Sequence, residues 1–116
     1  MKYLLDTHTL LWFLAGDASL SPSARQHVEN EAHDIFVSMA SLWEIAIKSS
    51  LGKLELTTSL DALLTEQLPN NAIQVLGIDV AHLLCIHALP LHHRDPFDRL
   101  LAAQSLVEKM PMISKD

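Results

Sequence analysis

Four acidic residues stand where an apolar, strand-like run meets a helix or the end of the chain. Asp6 ends MKYLLD, Glu44 lies in SMASLWEIAIK, Asp98 lies in HRDPFDRLLAAQ, and Asp116 ends PMISKD. In an open α/β sheet the C-terminal ends of parallel strands share one edge, so side chains far apart in sequence meet there. Carboxylates gathered in one place repel each other, and hard oxygen donors of this kind suit Mg²⁺ or Mn²⁺. Two such ions about 3.5–4 Å apart activate a water and stabilise the leaving oxygen of a phosphodiester. On this reading Asp6 and Asp98 are the principal ligands, and Glu44 is a further ligand, direct or through water. Asp116 holds a second ion or orients the attacking water. Thr7 and Ser41 place hydroxyls beside the ligands, where they can hydrogen-bond to them. Arg94 and Arg99 are the candidate phosphate contacts, and Lys48 and Lys115 also lie close in sequence to the acids.

Each acid also has a plain structural explanation. Asp6 can cap the helix that begins at Thr7. Glu44 can be the third-position partner of Ser41 in a capping box. Asp95 can cap the helix at Pro96, which leaves Asp98 in a first turn where the helix dipole favours it. Asp116 can be a solvated terminus. Metal chemistry therefore depends on the fold bringing the four together.

The elements that must do so alternate along the chain. KYLLD is almost wholly apolar, as expected of a strand covered on both faces, and THTLLWFL follows as a short helix. Ser21-Pro22 opens a second helix, and DIFVS forms the second strand. Ser41 to Glu44 reads as a capping box, and its helix stops at Gly52. SLDALLTEQL is a helix ended by Pro69-Asn70-Asn71, AIQVLGI the third strand, and DVAHLLCIHAL a helix that stops at Pro90. Asp95-Pro96 starts the longest helix, and PMIS is a fourth strand. Strand–helix alternation predicts βαβ units around a mainly parallel sheet of four or more short strands, in a single domain over residues 1–116. A chain ending at a strand's C-terminal edge leads us to expect a further short C-terminal segment.

Nearly half the residues (49%) are apolar and 19% are charged, which is ordinary globular composition. No apolar run approaches the ~18 residues of a membrane span. Cys85 is the only cysteine, so it has no intrachain disulfide partner, and the expected setting is cytoplasmic. Within VAHLLCIHAL, Cys85 reads as a buried small hydrophobe. The net charge of −6 argues against binding nucleic acid through bulk positive field. Bound divalent ions would reverse that potential locally. With three glycines and no Gly-rich phosphate loop, P-loop chemistry is disfavoured. No zinc-type spacing links the seven histidines, and His92 and His93 read as rim or solvent residues. Trp12 and Trp43 fall on apolar helix faces and read as core or interface rather than as base-stacking surfaces.

Through LLDTHTLLWFL (4–14), SMASLWEIAIKSSLGKLEL (38–56), HRDPFDRLLAAQSL (93–106) and MISKD (112–116), the chain resembles a PIN domain. More specifically, it is similar to the VapC-type toxins of bacterial type II toxin–antitoxin pairs. It implies a Rossmann-like α/β/α sandwich and a Mg²⁺- or Mn²⁺-dependent endoribonuclease, restrained by a cognate antitoxin and commonly dimeric. The family's acids fall on Asp6, Glu44, Asp98 and Asp116. Asp98 is preferred to Asp95 because the third acid directly precedes an apolar helix of the RLLAAQ kind, which leaves Asp95 a supporting contact at most. Relatives continue past the fourth acid with another short segment. A catalytically inactive module that keeps the fold and binds an antitoxin-like partner or RNA is the alternative. A haloacid-dehalogenase-like phosphatase needs an Asp two residues after the first, where His8 stands.

Overall fold

Short apolar runs become the four strands of the computed structural model, which describes residues 1–90 and 95–114. Arg94, Lys115, Asp116, His92 and His93 lie outside the described residues, and so do the expectations attached to them. Strands β1 (Lys2–Leu5), β2 (Asp34–Ser38), β3 (Ile73–Leu76) and β4 (Met112–Ile113) form one sheet in the order β3-β2-β1-β4. Every pairing is parallel, with Leu5 opposite both Val37 and Ile113, and Val37 opposite Val75. The strand ends at Leu5, Ser38, Leu76 and Ile113 therefore share one edge. Strand order proceeds outward from β1 to β3 and then jumps back across β1 to β4. A topological switch point thus lies between β1 and β4, the position at which open α/β sheets place ligands. The Asp6 amide donates to the Ile113 carbonyl there (3.1 Å).

Alternation along the strands divides the apolar side chains between two faces. Leu5, Ile35, Val37 and Ile73 pack with Leu10, Phe13, Leu42 and Ile45 on one side. Leu4 packs with Leu101 and Met110 on the other, joined by the half-buried Phe36, Leu76 and Met112. Leu4, Leu5, Leu10, Val37 and Ile45 are fully buried, each contributing about 1.5–3 kcal/mol of burial energy. This is the expected α/β sandwich.

Helix α1 (Thr7–Ala15) starts one residue after β1, with Asp6 as its cap, and ends at Gly16, whose φ of +66° suits a residue without a Cβ. Helix α2 (Pro22–Glu29) is capped by Ser21. Helix α3 (Met39–Ser50) begins earlier than the sequence suggests, because Ser38 is the cap and its hydroxyl accepts from the Ala40 amide. Ser41 and Glu44 are consequently interior residues of α3 and not a capping box. The next helical stretch runs as α4 (Leu60–Ala62), a π-helical turn (Leu63–Gln67) and α5 (Leu68–Asn70), and it ends at Asn70–Asn71, within the expected stop, with Pro69 in its last turn. Helix α6 (Val80–Ala88) packs on α7 (Pro96–Glu108), which Asp95 caps. One burial expectation is corrected: Cys85 is half-buried. Trp43, expected in the core or at an interface, is 59% exposed because the core-facing side of α3 is taken by Ala40, Ser41, Glu44 and Ile45. Among the described residues no helix is long and apolar enough to cross a membrane.

Candidate active site

The end of β1 and the helices α1, α3 and α7 converge on a cavity of about 260 Å³ lined by Asp6, Thr7, His8, Glu44, Lys48, Asp95 and Asp98. Three of the four acids singled out in the sequence thus face one space, and Asp116 lies outside the described residues. Local structure fixes each carboxylate. Asp6 caps α1, with its Oδ1 accepting from the Thr9 amide at 2.8 Å, so the helix dipole stabilises its charge. Asp95 caps α7, accepting from the amides of Phe97 (2.8 Å) and Asp98 (3.2 Å). Asp98 stands in the first turn of that helix.

Glu44 is only 7% exposed, which is costly for a carboxylate unless its oxygens are satisfied. Thr7 Oγ1 lies 2.7 Å from Glu44 Oε1 and 2.9 Å from the Oγ of the fully buried Ser41. The single Thr7 hydroxyl proton goes to the charged acceptor, where the bond is stronger. The other Glu44 oxygen accepts from Lys48 Nζ at 2.7 Å, one helical turn along α3. The Glu44 hydrogen bond is the largest influence raising the Lys48 pKa, and the charges of Glu44, Asp95 and Asp98 add to it. Lys48 therefore feels three of the cavity acids at once. Nothing in the sequence reading gave it this weight, although Glu44 and Lys48 at i and i+4 were there to be seen.

Arg99 has a different position from the one expected. Its Nη2 donates to the Ile86 carbonyl at the end of α6 (3.3 Å), its Nε is buried without a partner, and it does not line the cavity. Lys48 is the cation at the cavity among the described residues. Trp43 and Phe97, each immediately before a cavity acid in sequence, meet edge to face across α3 and α7 with ring centres 5.3 Å apart.

The donor set fits a hard divalent cation: among the described residues, four carboxylates, the Thr7 hydroxyl and His8 share the cavity with the Lys48 ammonium. A second titratable group lies elsewhere. Asp79, His82 and Glu108 bring ligand atoms within 4.8 Å of one another. Both nitrogens of the fully buried His82 are already engaged there, Nδ1 accepting from the Asp79 amide (3.1 Å) and Nε2 facing Glu108 Oε2 (2.7 Å). That arrangement joins α6 to α7 and leaves no ring nitrogen free for an ion. The sequence reading missed it, although Asp79 and His82 have cap spacing.

A family model for the PIN domain matches residues 3–116. This chain is a PIN domain. A search of curated proteins found no match. Membership implies the nuclease-type fold seen here, a class that generally works with divalent metal.

Proposed function

We propose that this PIN domain is a Mg²⁺- or Mn²⁺-dependent endoribonuclease that acts as the toxin of a type II toxin–antitoxin pair. The observation that carries the reading is the convergence of Asp6, Glu44 and Asp98, from three separate elements, on one cavity. A divalent ion in that cavity supplies an activated water and stabilises the charge developing on a cleaved phosphodiester. Asp6 and Asp98 hold the ion from the cap of α1 and the first turn of α7. Thr7, backed by Ser41, fixes Glu44 so that it reaches the ion directly or through water. Asp95 supports the site through the α7 cap. Asp116 belongs to the same reading as a holder of a second ion or as the group that orients the attacking water. Arg94 keeps its proposed contact with RNA phosphate. Arg99, committed to α6, has a weaker claim to one.

Partner binding is supported by apolar surface that the monomer leaves open. Met39, Trp43 and Ile47 recur every four residues on α3 and are 48%, 59% and 36% exposed. Met39 and Trp43 border a groove floored by Leu42 and Leu68, as do Leu64 and Val75. Contiguous apolar surface of this kind suits a second copy of the chain or an antitoxin. A cytoplasmic setting completes the reading. The Lys48–Glu44 pair favours the alternative, a binding module without cleavage, because it already neutralises one ligand.

The test is cleavage of structured RNA by the protein freed of any partner. Cleavage with Mg²⁺ or Mn²⁺, its loss with chelator, and its loss in a folded Asp98→Asn variant are expected. Equal cleavage by Asp98→Asn overturns the assignment.

A further inference from the structure

Lys48 is an unusual neighbour for a metal ligand. Its Nζ sits 2.7 Å from Glu44 Oε2, the side chain is 41% exposed, and it lines the same cavity as Asp6, Asp95 and Asp98. Glu44 itself cannot turn away to find other partners, because it is 7% exposed and its other oxygen is held by Thr7. An ion reaching Glu44 from the cavity therefore meets an oxygen already occupied by an ammonium. Lys48 has the means to leave: its four-carbon stem is flexible and its head is strongly hydrated once free.

We propose that Lys48 is a positioning residue serving as the resident cation of the acidic cavity, which holds Glu44 until a divalent ion displaces it from Oε2. The inference rests on the metal-dependent reading above. Three consequences follow from the geometry. In the metal-free protein Lys48 offsets the repulsion among the four carboxylates. Metal binding must break the Lys48–Glu44 ion pair, so affinity for the ion is lower than the bare acids would give. Charge, and not merely the stem, is what matters, so arginine should substitute in part and methionine should not.

The experiment titrates Mn²⁺ into the whole protein by calorimetry and follows melting in chelator and in Mn²⁺, with no RNA present. Lys48→Met is expected to bind Mn²⁺ about fivefold more tightly than the unsubstituted protein, the scale of a partly exposed ion pair. It should also melt lower in chelator and gain more from Mn²⁺. Lys48→Gln guards against a folding defect peculiar to methionine and should behave alike. Lys48→Arg should return towards the unsubstituted affinity. Lys53→Met, which removes an exposed charge outside the cavity, should change nothing. Unchanged or weaker Mn²⁺ binding by Lys48→Met and Lys48→Gln overturns the inference while leaving the nuclease reading in place. An equal gain in Lys53→Met also overturns it, by reducing the effect to net charge. Failure of the unsubstituted protein to bind Mn²⁺ at all overturns both.

Discussion

The acidic cavity and the α6–α7 junction both gather carboxylates around a nitrogen, yet the first is open and the second is closed. At the junction, Asp79 and Glu108 flank His82, whose ring is 0% exposed and whose two nitrogens each have a partner. Gln104 completes that junction by donating to the Gly77 carbonyl at 3.1 Å. At the cavity, among the described residues, four carboxylates line open space together with His8 and the Lys48 ammonium. The tighter cluster is the closed one. Proximity of ligand atoms therefore does not identify a reactive centre; what distinguishes the cavity is space that an ion can enter between carboxylates from separate elements.

Substitutions should separate the two regions. The largest effect is expected from Asp98→Asn or Asp6→Asn, which should reduce RNA cleavage by at least about 100-fold while the melting temperature holds, as measured by initial rates and calorimetry. His82→Ala should do the reverse. Removing a buried ring that joins two helices should cost about 2–4 kcal/mol in urea unfolding, with cleavage per folded molecule preserved. A His82 variant that loses activity while keeping its stability would erase the distinction.

Thr7→Val tests the link between the regions' shared logic of satisfied and unsatisfied oxygens. It leaves a nearly buried Glu44 oxygen without its donor, so a loss of about 1–3 kcal/mol is expected together with about 10–100-fold slower cleavage. Saturating Mn²⁺, at about 100 times its dissociation constant, should stabilise the protein by about 2.7 kcal/mol, and Asp98→Asn should lose most of that gain. The smallest effect belongs to Asp17, an acid that lines neither the cavity nor the junction. The Ser19 amide, donating to Asp17 Oδ1 at 2.8 Å, holds its pKa below the usual 3.8. A lowered folded-state pKa gives stability that is present above 3.8 and is lost as pH falls through the lowered value. Asp17→Asn should therefore slightly lower stability near neutrality and flatten the acid limb of the stability–pH curve below pH 3.8.

Most of the framework was legible because strand and helix periods differ and because Asp6, Ser21 and Asp95 announce helix starts chemically. Glu44 shows where legibility ended. Ser41 and Glu44 carry the spacing of a capping box whether they begin a helix or lie inside one, and only the tertiary environment selects the latter. With Ser38 as cap, both turn inward and meet Thr7, a contact spanning 34 and 37 residues that no local pattern encodes. For the same reason the choice between core and interface for Trp43 was not legible. Once Ser41, Glu44 and Ile45 take the inner face of α3, the residue between Leu42 and Glu44 is directed outward. Lys48 was visible as an i+4 partner, but its reach to Asp95 and Asp98 comes from the packing of α3 against α7.

That packing gives the molecule an internal optical gauge. Trp43 and Phe97 touch at an edge-to-face contact, and each is bonded to a residue of the acidic cavity. Any rearrangement that widens or narrows the gap between the two helices must also reset the surroundings of the indole. In a Trp12→Phe background, the emission of the remaining tryptophan would then report ion entry in real time, with no label attached.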